Sequence, residues 1–323
     1  MSQHKFTAAT TAEEVASVFQ EQIRGKTVLI TGTSINGIGF ETARVIAKYA
    51  NLVIITGYNT ERLKLSEEAI KKEIPSANVR PLILDLTSLA AVRKAVAEVN
   101  AYPEPLHVLI NNAASGGRKY KLTVDNLEEQ MATDPIGPFL FTKLLAPKLL
   151  AARTTSYTPR VIYVSSSTHT LGPGINLGMV ARGDPENWET FPRYFEAKSA
   201  NILTAIELSK RSQVKINGYS LHPGAILTNI QQKEETKTDF VKYGWLNPDG
   251  SPNTDNFPWK TIPQGAATTL AAAFNPELDA APVAYLFDCV EANDERAPHS
   301  ADLATAAKLW TITEGIVGEE FTF

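Results

Sequence analysis

Apolar residues recur along the chain in short continuous runs, and longer stretches with helical periodicity separate these runs. The runs rich in Val, Ile and Leu predict strands near residues 26–31, 51–56, 79–84, 106–111, 160–165, 214–220 and 282–287. The intervals predict helices, including one near 123–150 and one near 193–212. Strands that are apolar on both sides and alternate with helices are typical of a parallel sheet covered on both faces. The pattern therefore predicts an α/β protein with a doubly wound, seven-stranded parallel sheet, the Rossmann fold.

Length and local composition predict one domain over residues 1–323. No segment rich in Pro, Gly or Ser divides the 323 residues into two comparable parts. The sequence Thr11-Ala-Glu-Glu14 has the form of a helical capping box, which predicts an N-terminal helical extension over residues 1–24. A poorly patterned stretch at about 228–262 is the predicted substrate loop region.

Charge and cysteine content favour small-molecule chemistry in a reducing compartment. The net charge of −4 provides no basic surface for nucleic acid or for an anionic membrane. Cys289 is the only cysteine, so no intramolecular disulfide can form. The first residues lack the apolar core of a signal peptide, and no apolar run approaches the length of a membrane helix. We therefore expect a cytoplasmic protein with neither a membrane nor a nucleic-acid partner.

A glycine turn follows the first predicted strand and precedes a helical pattern. In Thr31-Gly32-Thr-Ser-Ile-Asn-Gly37-Ile-Gly39, Gly32 permits a tight turn and Gly37 permits close approach of the backbone to a pyrophosphate. Gly39 permits close packing of the helix on the strand. Free N–H groups at the helix N-terminus favour bound phosphate. The segment predicts a dinucleotide site, with an ordinary strand-turn-helix connection as the alternative.

Tyr194 and Lys198 are four residues apart within a predicted helix, so they lie on the same helix face. A phenol is too weak an acid to transfer protons near neutral pH unless a nearby cation favours its ionised form. The lysine could supply that charge. Alone, the spacing is also compatible with a surface aromatic residue beside a solvated lysine.

Together with further motifs, these segments resemble the short-chain dehydrogenase/reductase family, and within it the branch of retinol-dehydrogenase-like and WW-domain-oxidoreductase-like proteins of fungal type. The motifs are Thr31-Gly32 through Gly39, Asp85-Leu86, Asn111-Asn112-Ala113-Ala114, Val164-Ser165-Ser166, Tyr194-x-x-x-Lys198, His222-Pro223-Gly224 with Thr228, and Leu309-Trp310 through Gly318. They occur in the order of the family and extend over almost the whole chain.

The resemblance implies a catalytic set of Ser166, Tyr194 and Lys198, with Asp134 in the position of a fourth member. Tyr194 would be the proton donor in reduction and the acceptor in oxidation. Lys198 would lower the pKa of the tyrosine and hold the ribose hydroxyls, and Ser166 would bind the substrate oxygen. We select Ser166 over Ser165 and Ser167 because the second serine of this motif is the catalytic one in the family. The segment at about 170–192 is expected to line the mouth of the pocket.

The resemblance also implies the cofactor contacts. The residues expected to bind the dinucleotide are Gly32, Ser34, Gly37, Ile38, Gly39, Tyr58, Asn59, Arg62, Asp85, Leu86, Asn112, Ala113, Tyr194, Lys198, Pro223, Gly224, Ile226 and Thr228. Asn111 is expected to border the cofactor through its backbone. Each of these contacts has a simpler alternative: Asp85, for example, could cap a helix at 87, and Pro223-Gly224 could be only a turn.

The end of the second strand favours NADP(H) over NAD(H). An acidic residue there would bind the ribose 2′-hydroxyl and repel a 2′-phosphate. Gly57 occupies that position, so the acid is missing, and Ser34, Asn59 and Arg62 could contact a phosphate. We therefore expect NADP, with NAD as the alternative.

Three positions depart from the family pattern. The glycine turn has four residues between Gly32 and Gly37 where three are usual, and Ala114 replaces a glycine. Asp134 replaces the asparagine whose backbone carbonyl holds a water in the proton relay of the family, and Pro135 and Pro138, which follow it, replace common histidines. Because prolines kink helices and free carbonyl groups, we expect the water site to survive. Asp134 could pair with Lys198 or raise the pKa of Tyr194, so we expect activity with an unusual pH dependence.

The sequence as a whole predicts an NADP(H)-dependent oxidoreductase that interconverts a ketone or aldehyde and the alcohol on a small lipophilic or aromatic substrate. The aromatic residues Phe240, Tyr243, Trp245 and Trp259 suit such a substrate, although ordinary packing would explain them equally well. A cofactor-binding regulatory or scaffold protein with weakened catalysis is the alternative, and a sugar-nucleotide epimerase ranks third. His169 and His222 lack metal-ligand spacing, so no metal is expected. The resemblance to the family implies a homodimer or homotetramer whose subunits contact each other through the helices near 123–150 and 193–212.

Overall fold

The centre of the protein is an eight-stranded sheet, as seen in a computed structural model that describes residues 5–116, 119–229, 234–255 and 257–323. The strands are Thr27–Ile30 (β1), Leu52–Gly57 (β2), Val79–Ile83 (β3), Val108–Asn111 (β4), Arg160–Val164 (β5), Asn217–His222 (β6), Ala225–Ile226 (β7), Trp259–Lys260 (β8), Tyr285–Phe287 (β9) and Val290–Glu291 (β10). The order across the sheet is β3-β2-β1-β4-β5-β6-β9-β10, and β7 pairs with β8 in a separate small sheet.

Seven strands of the large sheet are parallel, which confirms the predicted Rossmann fold. The eighth, β10, is a two-residue antiparallel addition at the edge beside β9. Strand order reverses direction between β1 and β4, and ligands of such sheets bind at this switch point, beyond the carboxyl ends of the strands.

Helices cover both faces of the sheet. They are Ala12–Val18 (α1), Gln20–Ile23 (α2), Ile38–Ile46 (α3), Thr60–Glu73 (α4), Leu89–Asn100 (α5), Glu129–Met131 (α6), Gly137–Ala151 (α7), Thr190–Arg211 (α8), Glu234–Lys242 (α9), Ile262–Phe274 (α10), Pro298–Ala301 (α11) and Leu303–Val317 (α12). Successive strand side chains point to opposite faces, so Leu29 packs with α5, α7, α8 and α12, whereas Val28 and Ile30 pack with α1, α3 and α10.

The N-terminal capping box is present. Thr11 Oγ1 accepts the backbone N–H of Glu14, and the Glu14 carboxylate accepts the backbone N–H of Thr11 at 2.7 Å. The apolar side of α1 then packs on α3 and α10. Helix α1 therefore lies on the same face of the sheet as α3, the helix that follows the glycine turn.

The helix predicted near 123–150 is shorter and interrupted. A turn with Asn126 at φ 57° precedes it, so the first helical residue is Glu129. Residues Ala132–Ile136 form a π-helical turn that contains Pro135, and the regular helix α7 begins only at Gly137. Proline has no N–H to donate, so Pro135 cannot make the backbone hydrogen bond of a regular α-helix at this position. Asp134 lies within this turn and is buried.

The C-terminal helix packs on α8. Trp310 of α12 lies edge to face against Phe139 of α7, with ring centroids 4.7 Å apart. The Arg211 guanidinium of α8 lies 5.4 Å from the Trp310 ring. The two helices that the sequence assigns to a subunit interface are therefore partly covered by a helix of their own chain.

Candidate active site

The glycine turn lies between β1 and α3 and is shaped by close backbone contacts. Gly32 has φ +74°, and a Cβ there would lie 2.8 Å from the Cα of Ala113. A Cβ on Gly39 would lie 2.4 Å from the Gly32 carbonyl oxygen and 2.4 Å from Asn112 Nδ2. All three distances are shorter than a real Cβ atom adopts, so these positions require glycine. Gly37 is the N-cap of α3, and no described side chain caps the helix. Ser34 and Ile38 of this turn line the cleft described below.

The additional residue of the turn is accommodated at Asn36, which has φ 63°. Asparagine tolerates this left-handed conformation better than most residues. The preceding Ile35 carbonyl accepts a hydrogen bond from Asn229 Nδ2 at 2.8 Å. The widened turn is thus tied to the segment that follows β7.

Asn112 and Ala113 lie beside the turn because Thr31 holds them there. Thr31 Oγ1 accepts the backbone N–H groups of Asn112 and Ala113 at 3.0 and 2.9 Å. The Asn112 amide donates back to the carbonyl oxygens of Thr31 and Gly32. Asn111 is buried on β4 and donates to Thr142 Oγ1 at 3.2 Å. The Asn-Asn-Ala motif therefore braces the glycine turn.

These features fit a bound dinucleotide. The N-terminus of α3 offers backbone N–H groups that no described side chain caps, and this end of a helix attracts phosphate. The space that a Cβ would occupy at Gly32 and Gly39 is taken by the backbone and by Asn112, so the chain forms a narrow cradle. The glycine turn and the N-terminus of α3 therefore fit a pyrophosphate group.

At the far end of this cradle, some predicted cofactor residues also have structural roles. Asn59 is the N-cap of α4, and its Oδ1 accepts the backbone N–H of Arg62 at 2.9 Å. Arg62 is exposed and forms no ion pair with a described residue, and Tyr58 is 68% exposed. The Arg62 guanidinium and the Tyr58 ring are therefore accessible to a ligand.

Asp85 forms a local turn and does not cap a helix at 87. Its Oδ1 accepts both the N–H and the hydroxyl of Thr87, at 2.9 and 2.7 Å. Helix α5 begins at Leu89 with Ser88 as its cap, so the helix-cap alternative for Asp85 is wrong. Asp85 and Leu86 both line the cleft.

Ser166 lies at the carboxyl end of β5 and faces the cleft. The three neighbouring serines differ in environment, because Ser165 Oγ donates to the Lys198 carbonyl oxygen at 2.7 Å and Ser167 is exposed. Ser166 is 9% exposed and caps the short 3₁₀ helix that follows. Ser165 is thus committed to holding β5 against α8, which leaves Ser166 as the buried hydroxyl at the cleft.

Tyr194 and Lys198 lie one turn apart on α8, and the lysine ammonium is 5.2 Å from the centre of the phenol ring. Burial raises the pKa of Tyr194, Lys198 opposes that shift, and the charge of Asp134 adds to it. The neighbouring Ser166 hydroxyl acts in the same direction as the lysine. The net pKa is raised, so the phenol is protonated at neutral pH and can donate a proton.

Asp134 forms a buried ion pair with Lys198. The carboxylate oxygen Oδ2 is 2.8 Å from Nζ, and the two side chains are 0% and 2% exposed. Oδ1 accepts the backbone N–H of Ser115 at 2.8 Å, and Nζ also donates to the Val164 carbonyl oxygen. Burial lowers the pKa of Lys198, but Asp134 and Tyr194 together raise it, and the net pKa is raised. The lysine is therefore held in its charged form.

The segment after β6 forms the other wall of the cleft. Gly224 has φ +102°, and the aliphatic chain of Lys260 occupies the place where its Cβ would lie. β7 pairs with β8, which brings Lys260 beside Asp288 in an ion pair. Burial lowers the pKa of His222 to about 3, so this ring is neutral. Pro223, Ile226 and Thr228 all line the cleft here.

Aromatic side chains from three segments line the opposite end. Phe191 of α8 packs edge to face against Tyr243 and Trp245, with ring centroids 4.6 and 4.7 Å apart. Phe240 of α9 lies 5.1 Å from the same ring, and Tyr194 borders this cluster. Phe191 was missed at the sequence level, because the motif that singles out Tyr194 begins three residues later.

A buried ion pair positions the start of α8. Arg193 Nε lies 3.2 Å from the Glu128 carboxylate, and the two side chains are 4% and 1% exposed. The same guanidinium donates to the carbonyl oxygens of Met179 and Val180. Arg193 therefore ties the segment before α8 to α6, and sequence spacing alone gave no signal of this pairing.

All of these surfaces belong to one continuous cleft of about 2200 Å³. It runs from the glycine turn and Arg62, past Ser166 and Tyr194, to the aromatic cluster. Of the predicted site residues, Gly39 and Asp134 do not line the cleft, and Asp134 lies behind its wall in contact with Lys198. The arrangement can hold an extended cofactor beside a proton-donating phenol and an apolar pocket.

In the described ranges, no three His, Cys, Asp or Glu side chains come together in a way that could hold a metal ion. No helix in the described part of the chain is both long and apolar enough to cross a lipid bilayer.

Comparison with known proteins agrees with this geometry. A family model described as short chain dehydrogenase matches residues 26–177. The chain is 33% identical over 314 residues to the short-chain dehydrogenase TIC 32 B, chloroplastic, of Brassica napus, covering 96% of this chain and 93% of that protein. It is 32% identical over 303 residues to the short-chain dehydrogenase/reductase prx1 of Penicillium rubens, covering 91% and 85%. It is also 32% identical over 309 residues to the WW domain-containing oxidoreductase of Danio rerio, covering 94% and 71%.

Solved structures show the same fold. An uncharacterised protein from Mycobacterium paratuberculosis aligns with a TM-score of 0.68 and 28% identity, covering 93% of this chain and 96% of that one. An NADPH-bound carbonyl reductase from chicken fatty liver aligns with a TM-score of 0.57 and 21% identity, covering 81% and 96%. The chain belongs to the short-chain dehydrogenase/reductase family of NAD(P)-dependent oxidoreductases.

Proposed function

We propose that the protein is an NADP(H)-dependent oxidoreductase that interconverts a ketone or aldehyde and the alcohol on a small lipophilic or aromatic substrate. The observation that carries this proposal is the convergence of Ser166, Tyr194 and Lys198 beside an aromatic pocket in one cleft. When bound, the dinucleotide supplies the hydride for reduction of the carbonyl carbon or receives it in oxidation. The protein residues bind and orient the substrate and transfer one proton.

In the reduction direction, Tyr194 donates the proton to the substrate oxygen. Its raised pKa means that the phenol carries this proton at neutral pH. Ser166 donates a hydrogen bond to the same oxygen, where negative charge develops in the transition state. Lys198 stays charged beside Asp134 and stabilises the phenolate that forms when the proton has left. In oxidation the phenolate would accept the proton from the alcohol.

The proposal is tested by consumption of NADPH and NADH by the purified protein with aromatic, aliphatic and terpenoid carbonyl compounds. We expect turnover with an aromatic or lipophilic carbonyl, and a decrease of about 1000-fold in Tyr194→Phe, which lies within the range for general acid catalysis. Ser166→Ala should nearly abolish turnover, whereas Ser167→Ala should leave it unchanged. A loss in Ser167→Ala with normal turnover in Ser166→Ala would overturn the assignment of the serine.

The NADP(H) preference rests on the end of β2. Gly57 ends the strand without a carboxylate, and Arg62 is exposed at the start of α4. A 2′-phosphate would contact this guanidinium. Because residue 57 is glycine, no carboxylate at that position would repel the phosphate. We expect Arg62→Ala to lower kcat/KM for NADPH about 10-fold, the equivalent of about 1.4 kcal/mol, and to leave NADH unaffected.

Lys64→Ala is the matched control, because Lys64 is an exposed cation two residues away that lies 3.8 Å from the Glu68 carboxylate. An equal loss in both variants would mean that general charge is responsible and not a specific contact. A tenfold preference of the wild type for NADH would overturn the NADP(H) assignment.

A second candidate is a cofactor-binding regulatory or scaffold protein with weakened catalysis. The buried contact between Asp134 and Lys198 favours it, because a lysine that is paired with a carboxylate stabilises a phenolate less strongly. Tight binding of either cofactor, with no turnover of any carbonyl compound in the panel, would support this candidate.

We further propose that residues 1–323 form one domain, that about 228–262 is the substrate loop region, and that 1–24 is a helical extension. The small-molecule substrate is the expected partner. A cytoplasmic location and a homodimer or homotetramer through α7 and α8 stay predictions, which fractionation and sedimentation would test.

A further inference from the structure

The segment Ala297–Ser300, here called the C-terminal clamp, contacts both elements that carry the catalytic set. It lies at the start of α11, which is more than 100 residues after Ser166 and outside the 26–177 region that the family model matches. One contact reaches the loop after β5, which carries Ser166, and the other reaches α8, which carries Tyr194 and Lys198.

His169 makes the first contact. Its Nδ1 lies 2.6 Å from the Ser166 carbonyl oxygen, and its Nε2 lies 3.3 Å from the Ala297 backbone nitrogen. A neutral imidazole has one donor and one acceptor, so Nδ1–H donates to Ser166 and Nε2 accepts from Ala297. The ring is 1% exposed and packs edge to face on Tyr285 at 5.2 Å. The imidazole is therefore fixed between the serine and the clamp.

The surroundings keep this ring neutral, as its two hydrogen bonds require. Burial lowers the pKa of His169, the bond to Ser166 opposes that shift, and His299 and Arg296 add to it. His299 also holds the same residue from the other side, because its Nε2 donates to the His169 carbonyl oxygen at 2.8 Å. Both the ring and the backbone of His169 are thus bonded to the clamp.

Ser300 makes the second contact. Its hydroxyl lies 2.8 Å from the Ser199 hydroxyl, and both side chains are fully buried. Ser199 is the residue after Lys198 on α8. The clamp therefore joins the Ser166 loop and the helix of the tyrosine and lysine through hydrogen bonds of fixed geometry.

We propose that His169 is a positioning residue for Ser166, and that the C-terminal clamp sets the position of Ser166 relative to Tyr194 and Lys198. This inference rests on the proposed function. The Ser166 hydroxyl must reach the substrate oxygen together with the phenol, and the His169 ring bonds the carbonyl of that same residue. A displacement of about 1 Å in a catalytic group can cost about 100-fold in rate. The clamp is a structure suited to prevent such a displacement.

The two bonds of His169 can be removed separately. In His169→Asn the amide nitrogen takes the place of Nδ1, so the bond to Ser166 can remain while the bond to Ala297 is lost. In His169→Gln the amide oxygen takes the place of Nε2, so the bond to Ala297 can remain while the bond to Ser166 is lost. His169→Phe keeps the ring volume and removes both bonds. We expect kcat to fall about 30-fold or more in His169→Phe, and about 3- to 10-fold in the two amide variants.

Binding of the cofactor distinguishes positioning from general damage. Ser166 acts on the substrate oxygen, so NADPH affinity measured by fluorescence should stay within about 2-fold of the wild type in all three variants. His107→Phe is the matched control, because His107 also accepts a backbone N–H, that of Thr27, at 3.0 Å at the opposite end of the sheet. It should lose stability and keep kcat.

Ser300→Ala tests the clamp with a smaller change. It removes the bond to Ser199, and we expect a decrease in kcat of about 3-fold or more. Ser212→Ala is its control, since Ser212 is equally buried and bonds Ser209 and Ile216 at the far end of α8. Equal kcat losses in Ser300→Ala and Ser212→Ala would overturn the clamp.

Hydrogen exchange provides a readout that needs no substrate. The Thr168 N–H donates to Ser166 Oγ at 3.2 Å, so its exchange reports on the position of the serine. Exchange at Ser167–Thr170 should be faster in His169→Phe and unchanged in His107→Phe. Normal kcat with normal exchange in folded His169→Phe would overturn the proposal. Absence of turnover in the wild type would instead refute the proposed function, and the exchange result would still decide whether the clamp holds the Ser166 loop.

Discussion

The two ends of the cleft differ in the material that forms them. At the glycine-turn end, around Gly32 and Gly39, the surface is backbone that the Asn112 side chain braces through hydrogen bonds to the carbonyl oxygens of Thr31 and Gly32. At the aromatic end, around Phe191 and Tyr243, the surface consists of aromatic side chains. A backbone surface tolerates no added atoms, whereas an aromatic surface can repack. We therefore expect the first end to be sensitive to single methyl groups and the second to respond gradually.

Gly39→Ala should have the largest effect, because its Cβ would fall 2.4 Å from both the Gly32 carbonyl oxygen and the Asn112 amide. Relief requires the turn to move away from α3, which removes the cradle for the pyrophosphate. We expect dissociation constants for NADPH to rise by about 100-fold or more, the equivalent of about 2.7 kcal/mol. Titration of cofactor fluorescence measures this change, and an affinity within a factor of two of the wild type would refute the fit between the turn and the dinucleotide.

Asp134→Asn tests the reaction centre that lies between the two ends. The Asp134 charge raises the pKa of Tyr194, so its removal lowers the pKa of the phenol. Because oxidation requires the phenolate, its pH-rate profile should move by about one unit toward lower pH, which corresponds to about 1.4 kcal/mol. In reduction the rate should likewise begin to fall at a lower pH.

The control for this variant is Glu207→Gln. Glu207 is also a buried carboxylate, and it pairs with Arg211 at 2.7 Å at the other end of α8. Removal of the Glu207 charge should leave the pH-rate profile unchanged. An unchanged profile in Asp134→Asn would eliminate the charge argument.

Phe191→Leu should have a moderate effect confined to the aromatic end. The change removes edge-to-face contacts with Tyr243 and Trp245, each of which is worth about 0.5–1.5 kcal/mol. We expect KM for the carbonyl substrate to rise about 5-fold, or about 1 kcal/mol, with unchanged NADPH affinity. Steady-state kinetics with varied substrate measures this.

Phe139→Leu is the matched variant for that experiment, because Phe139 is a buried ring that packs on Trp310 away from the cleft. It should destabilise the protein to a similar degree without a change in KM. If both variants raised KM equally, the aromatic end would be ordinary core and not a substrate surface.

The difference between the ends also explains how far the sequence was informative. The seven parallel strands and the glycine turn could be predicted, since continuous apolar runs and adjacent glycines are local signals. The sequence also suggested that Asp134 could pair with Lys198, and the ion pair is present. The predicted start of a helix near residue 123 was wrong. The turn at Asn126 and the π-helical segment around Pro135 interrupt the helix that the apolar periodicity indicated.

Contacts across the tertiary structure could not be predicted in the same way. The bonds from His169 to Ala297 and from Arg193 to Glu128 join residues whose separation in sequence has no regular pattern. Asn59 illustrates a different limit, because the same side chain is suited to bind a phosphate and to cap α4, and only the structure shows the cap. Local motifs thus predict the glycine-turn end of the cleft, whereas at the aromatic end the sequence indicated Tyr243 and Trp245 but not that Phe191 packs against them.

Gly315→Ala should have the smallest effect and the opposite sign to Gly39→Ala. Gly315 lies within α12, and a Cβ there would meet no atom within 4 Å. Alanine loses less backbone freedom on folding than glycine, so the free energy of unfolding should increase by about 0.5–1 kcal/mol. Urea denaturation measures this gain, and kcat and NADPH affinity should stay the same. Gly39→Ala and Gly315→Ala together separate two roles of glycine. If Gly315→Ala weakened NADPH binding as much as Gly39→Ala does, the glycine turn would be no more constrained than an exposed helix position.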